Sequence, residues 1–161
     1  KFTGKSLIGE KASLLLLMKN KGGKTAQFSV VDKGAKNTLN KKITIITNKS
    51  KSKIRLKWDS GKPIYTIDLK LNVFISEYTK GILNKRDVDK LAAFLSKKMT
   101  NMAEEVTKTL NESNSDALGL GHIMQVQNPE KFKGYDWYKD FKDIKVVPKV
   151  KVHIISNGIL Y

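Results

Sequence analysis

Residues 84–112, NKRDVDKLAAFLSKKMTNMAEEVTKTLNE, decide the fold. Val88, Leu91, Ala92, Leu95, Met99, Met102, Val106 and Leu110 recur at steps of three and four. That spacing is one face of an α-helix. Lys85, Arg86, Asp89, Lys90, Lys97, Lys98, Glu104, Glu105 and Lys108 occupy the other face. Asn84 suits the N-cap, because its side-chain oxygen can accept from an orphan backbone N–H of the first turn. Asp87 then sets a negative charge at the positive end of the helix dipole. No Gly or Pro interrupts the run, which at 1.5 Å per residue would be about 42 Å long. Such a helix needs a broad apolar partner.

The flanking segments supply strands. Before the helix, residues 24–31 alternate Ala26, Phe28 and Val30 against Thr25, Gln27 and Ser29, which is strand periodicity. Lys41 to Thr47 is rich in β-branched residues, which favour strands. Asn48 to Lys51 reads as a turn. Ile54, Leu56 and Trp58 then alternate with Lys53, Arg55 and Lys57. Asp59-Ser60-Gly61-Lys62-Pro63 is a second turn, with Gly61 available for a positive φ. From Ile64 to Glu77 a long strand puts Tyr65, Ile67, Leu69, Leu71, Val73 and Ile75 on one face. Phe2 to Gly9 reads as a further short strand, and Lys11 to Lys19 as a short apolar helix.

After the long helix, Ser113 and Asp116 have the spacing of a capping box. A mainly apolar helix over residues 117–126 contains Gly119 and Gly121, read as packing positions where a missing Cβ permits close approach. Asn128-Pro129 is an N-cap followed by proline at the first helical position. A short helix with Trp137, Tyr138 and Phe141 leads to a last strand, with Val146, Val150, Val152 and Ile154 inward and Lys149, Lys151 and His153 outward. The order of elements implies one α+β domain over residues 1–161. Its antiparallel, possibly mixed, sheet has about four to six strands, with the long helix and shorter helices on one face. In that arrangement Leu91, Leu95, Met99, Met102 and Val106 face Leu56, Ile67, Leu69 and Leu71.

Composition bounds the function. The 161 residues are 40% hydrophobic and 29% charged, which suits a folded domain with its own core. The longest apolar run, Leu14 to Met18, is too short to span a bilayer. There is no cysteine, which excludes a disulfide framework, a thiol nucleophile and Cys-ligated metal. A start at Lys1 rather than Met reads as a fragment or processed product whose targeting segment lies elsewhere. Net charge is +16, which invites a nucleic-acid or anionic-membrane reading, although a lysine surplus more often marks a solvated surface. Yet Arg55 and Arg86 are the only arginines, and specific phosphate recognition favours the arginine fork. Nucleic acid is therefore not the expected partner.

Signs of chemistry are missing. His122 and His153 lie on different elements without metal-ligand spacing. Gly119-Leu120-Gly121 lacks the third glycine of a dinucleotide fingerprint, because residue 124 is Met. Gly22-Gly23-Lys24-Thr25 is like the tail of a P-loop, but the earlier glycine is replaced by Met18. No catalytic residue, metal or cofactor is expected. Lys53, Arg55, Lys57, Lys70, Lys149 and Lys151 must all point away from the core by strand alternation, and they form the candidate interaction face.

Several segments together resemble the C-terminal domain of the spore germination C-subunits, the Ger(x)C family. Residues 2–9, FTGKSLIG, resemble its opening F-x-G-x-x-L-V-G. Ser76-Glu77-Tyr78 closes the long strand as its S/x-E-Y/W does. Residues 115–121, SDALGLG, are similar to its S-D-I-L-G-F-G, and Asn128-Pro129-Glu130-Lys131-Phe132 with Trp137 and Phe141 to its Y-P-x-x-W … W … F. The tail from Val150 to Ile159 resembles its closing basic strand. Phe132 departs from the tryptophan often found there, and Lys11-Ala12-Ser13 replaces common acidic residues. The resemblance implies the C-terminal domain of a larger lipoprotein. Its members are held by an N-terminal lipidated cysteine at the outer face of the spore inner membrane. There they act with A- and B-subunits as a nutrient germinant receptor. It also implies that Glu77, Asp116, Gly119, Gly121, Pro129 and Trp137 are family positions, expected to be structural. The expected function is a non-enzymatic domain making protein contacts, with an anionic membrane surface as a further partner. The alternatives are a basic module for an anionic polymer, whether cell-wall polymer or nucleic acid, and a small-ligand domain.

Overall fold

Three long strands and one long helix frame the molecule in a computed structural model, which describes residues 6–22, 25–32, 42–77 and 85–157. Helix α1 (Glu10–Met18) precedes strands β1 (Gln27–Val31), β2 (Lys42–Asp59) and β3 (Lys62–Glu77). Helices α2 (Lys85–Glu112), α3 (Leu120–Gln127), α4 (Pro129–Lys133) and α5 (Trp137–Asp140) follow. A 3₁₀ turn at Phe141–Asp143 then leads into β4 (Lys145–Asn157). The sheet order is β1-β2-β3-β4. The β1–β2 and β2–β3 pairs are antiparallel, and β3–β4 is parallel. The fold is thus α+β with a mixed sheet. Tyr65, Ile67, Leu69, Leu71 and Val73 of β3 are fully or almost fully buried, as the alternation requires.

The parallel pair follows from the long connection. Parallel neighbours need a crossover, and α2 carries the chain back along the sheet before β4 begins. Its buried stripe is Leu91, Leu95, Met99, Ala103, Val106, Thr107 and Leu110. The expected Met102 is only half-buried, and Ala103 is the residue sealed in the core. The reason is where α2 sits. Its closest approach is to edge strand β4, not to the middle of β2 and β3. Ser96 Oγ accepts from Val152 N at 2.9 Å, Thr100 Oγ1 accepts from Val150 N at 3.0 Å, and Asn111 Nδ2 donates to Ile144 O at 2.8 Å. Four helical residues rise about 6 Å and two strand residues about 6.6 Å, so successive turns of α2 meet successive edge groups of β4. The other free edges are covered likewise. The Asn20 amide exchanges two 2.7 Å bonds with the backbone of Ser52 on β2, and Glu10 accepts from Ser29 N on β1. Covering an edge in this way blocks further strand pairing.

Three local readings are corrected. Asn48 to Lys51 is no turn: β2 runs straight through, and the register shift between Thr47 and Lys49 makes Asn48 a bulge. Ser6 to Ile8 are not in a strand. Ser113 does not cap onto Asp116, because its hydroxyl donates back to Thr109 O at 2.7 Å. The Ser60-Gly61 turn behaves as expected, with φ of 49° and 79°, the pair of positive values a two-residue hairpin turn needs. The Asn84 cap, residues 33–41 and 78–83, Phe2 to Lys5, Gly23-Lys24 and the residues from Gly158 on fall outside the described residues.

Candidate interaction face

Among the described residues, helices cover one face of the sheet and leave the other open. Strand pairing arranges the open face in rows. Lys51 stands opposite Lys70, and Lys70 opposite Lys151. One row along, Lys53, Asp68 and Lys149 are aligned. Arg55 lies opposite Thr66, and Lys57, Ile64 and Lys145 form the next row. On the far side, Lys49, Asn72 and His153 are aligned. All six residues singled out in the sequence, Lys53, Arg55, Lys57, Lys70, Lys149 and Lys151, are exposed and share this face. Lys49 and Lys51 were missed because a turn was expected where β2 continues through the Asn48 bulge. Lys145 was missed because the last strand starts one residue earlier than its alternation suggested.

Asp68 is the one carboxylate in these rows, and it holds the Arg55 guanidinium in an ion pair. Among the described residues, no carboxylate pairs with Lys51, Lys53, Lys57, Lys70, Lys149 or Lys151. Lys51, Lys53, Arg55, Asp68 and Lys70 line a shallow depression of about 340 Å³. Beyond the Lys49–Asn72–His153 row the face turns apolar: Ile46 lies opposite Phe74, and Phe74 and Ile155 are 37% and 38% exposed.

The family-motif residues lie elsewhere, most of them at the joint between α3 and α5. Asp116 Oδ1 accepts from Leu120 N at 2.7 Å, and Oδ2 accepts from Gly121 N at 2.8 Å and from the Trp137 indole N–H at 3.1 Å. Asp116 thus caps α3 and fixes Trp137 at once. Gly119 is not inside a helix: it is the N-cap residue of α3, with φ 76° in the left-handed region. Gly121 is the packing glycine, and its partner is the Trp137 ring. A Cβ there would lie 2.7 Å from Trp137 Cε2. Trp137 in turn packs on Phe132 and Phe141, with ring centroids 6.0 and 5.5 Å away. Pro129 opens α4. Glu77, at the end of β3, accepts from Thr44 Oγ1 at 2.9 Å. The buried Tyr65 hydroxyl donates to Leu120 O at 2.9 Å and ties α3 to the sheet. Burial first, then the nearby Asp116 charge, pushes the Tyr65 hydroxyl well above its ordinary range.

A groove of about 1120 Å³ between the C-terminal half of α2 and the start of β4 has lining of mixed charge, including Glu104, Lys108, Lys142 and Asp143. His122 is exposed on α3 and His153 is exposed on β4. Among the described residues no three His, Asp or Glu are grouped as metal ligands, and no helix is long and apolar enough to cross a membrane.

Comparisons with known proteins agree with this architecture. Residues 1–158 match the family described as spore germination B3/GerAC like, C-terminal. The spore germination protein GerQC of Bacillus cereus is 23% identical over 137 residues, covering 84% of this chain and 36% of that protein. The crystal structure of the GerBC protein superposes with a TM-score of 0.77 at 21% identity, over 93% of this chain and 46% of that chain. The chain therefore spans less than half the length of either relative. With the family matched over nearly every residue, the chain belongs to the C-terminal domain family of GerAC-like spore germination proteins.

Proposed function

We propose that this chain is the C-terminal domain of a germinant-receptor C-subunit and acts in spore germination without catalysing a reaction. It makes contacts with the A- and B-subunits at the outer face of the spore inner membrane, where an N-terminal lipid anchor holds the whole protein. The family match over residues 1–158 carries this reading. The geometry supports it: Asp116, Gly121 and Trp137 are used up in holding helices together, and Gly119 in turning the chain into α3. What they leave on offer is surface.

The test is affinity capture of the receptor from spores through a tag on the full-length C-subunit, with and without residues 1–161. The reading predicts recovery of the A- and B-subunits with the full-length protein and their loss without this domain. Equal recovery from both would count against it.

A further inference from the structure

We propose that the open face of the sheet docks onto anionic lipid head groups. The inference rests on charge placement and stands apart from the receptor reading. Lys51, Lys70 and Lys151 lie directly opposite one another across three strands. Like charges directly opposed weaken a sheet. A face that met only water would be better served by interspersed signs. Asp68, which holds Arg55 and lies between Lys53 and Lys149, is the one carboxylate set against this charge.

Three features favour a bilayer over an acidic protein. The free cations are all lysine, a hydrated point charge on a flexible stem, which suits a fluid array of phosphates. A fixed carboxylate patch would favour the arginine fork, and Arg55, the arginine of this face, is already occupied. The charges also spread over three neighbouring long strands rather than lining a deep cleft. A plane of charge on this scale acts on another plane within a Debye length, about 10 Å. Finally, beyond the Lys49–Asn72–His153 row the face is apolar, with Ile46 opposite Phe74 and Ile155 partly exposed nearby. Apolar side chains beside lysines are the composition of surfaces that settle at the head-group boundary.

The experiment is co-sedimentation of the chain with vesicles of neutral phosphatidylcholine, and of phosphatidylcholine mixed with phosphatidylglycerol, at low and high salt. Binding is expected to the anionic vesicles at low salt, at least roughly tenfold over the neutral ones, and to fade at high salt. The triple variant K51Q/K70Q/K151Q should bind roughly a hundredfold more weakly, since each lysine at a membrane surface is worth about a factor of five. The control K85Q/K97Q/K108Q removes the same charge from the exposed face of α2 and should leave binding near the wild-type level. Equal loss from both triples would reduce the effect to total charge and overturn the proposal. So would equal binding to both vesicle types, or tighter binding to poly-glutamate than to anionic vesicles, which would assign the face to an acidic protein.

Discussion

Asp116 serves three donors from two helices, and its removal would leave each short of a partner. Losing a helix cap costs about 0.5–2 kcal/mol, and a buried donor without an acceptor about 1–3 kcal/mol. Asp116→Ala should therefore destabilise the domain by about 2–4 kcal/mol in urea unfolding. Trp137 fluorescence should change alongside, because its indole N–H loses its acceptor. Gly119→Ala should cost about 1–2 kcal/mol through the left-handed φ alone, since nothing lies within 4 Å of the added Cβ. Tyr65 predicts a pH effect. Its folded pKa lies above the ordinary tyrosine value of about 10, so the unfolded chain loses this proton first as pH rises. Stability from this group is full below pH 10 and falls above it, by at most about 1.4 kcal/mol per pH unit. Tyr65→Phe should remove that part of the alkaline slope in thermal melts. The motif positions were visible in the sequence as a pattern. Their joint use was not, because Asp116 and Trp137 are 21 residues apart and only the folded helices bring them together.

Helix α2 and strand β3 were legible because each carries an unbroken period. The partner of α2 was not, since periodicity fixes which face of a helix is buried but not what buries it. Ser96 and Thr100, polar residues beside an apolar stripe, carried the missing signal: they serve the free edge of β4. Ser96→Ala would leave the Val152 N–H without its acceptor and should cost about 1–3 kcal/mol. Ser96→Ala should also speed hydrogen exchange at Val152. Leu95, with no exposed surface, should cost about 2–5 kcal/mol as Leu95→Ala. Equilibrium denaturation checks both values, and a near-neutral Leu95→Ala would displace α2 from the account of the core. Asn48 misled the sequence reading because polar residues around a bulge look like those of a turn. The mixed sheet was left open for a similar reason, as alternation along β4 is the same whichever way its neighbour runs.

At the scale of the molecule, the core and the proposed docking face lie on opposite sides of one sheet. The helix-covered side holds the core, while the open side gathers lysines with which no carboxylate pairs among the described residues. Strand alternation was enough to place six of these cations outward. It could not show that Lys51, Lys70 and Lys151 would fall into one row, because register is a property of paired strands. Relieving that row should raise the melting temperature slightly, so a functional defect in K51Q/K70Q/K151Q could not be blamed on unfolding. The most direct measurement is nutrient-triggered germination of spores whose full-length protein carries this triple substitution at wild-type abundance. If the open face does the work of the domain, germination should slow several-fold while the domain melts no lower than the wild type. Germination at the wild-type rate with the row neutralised would contradict the account.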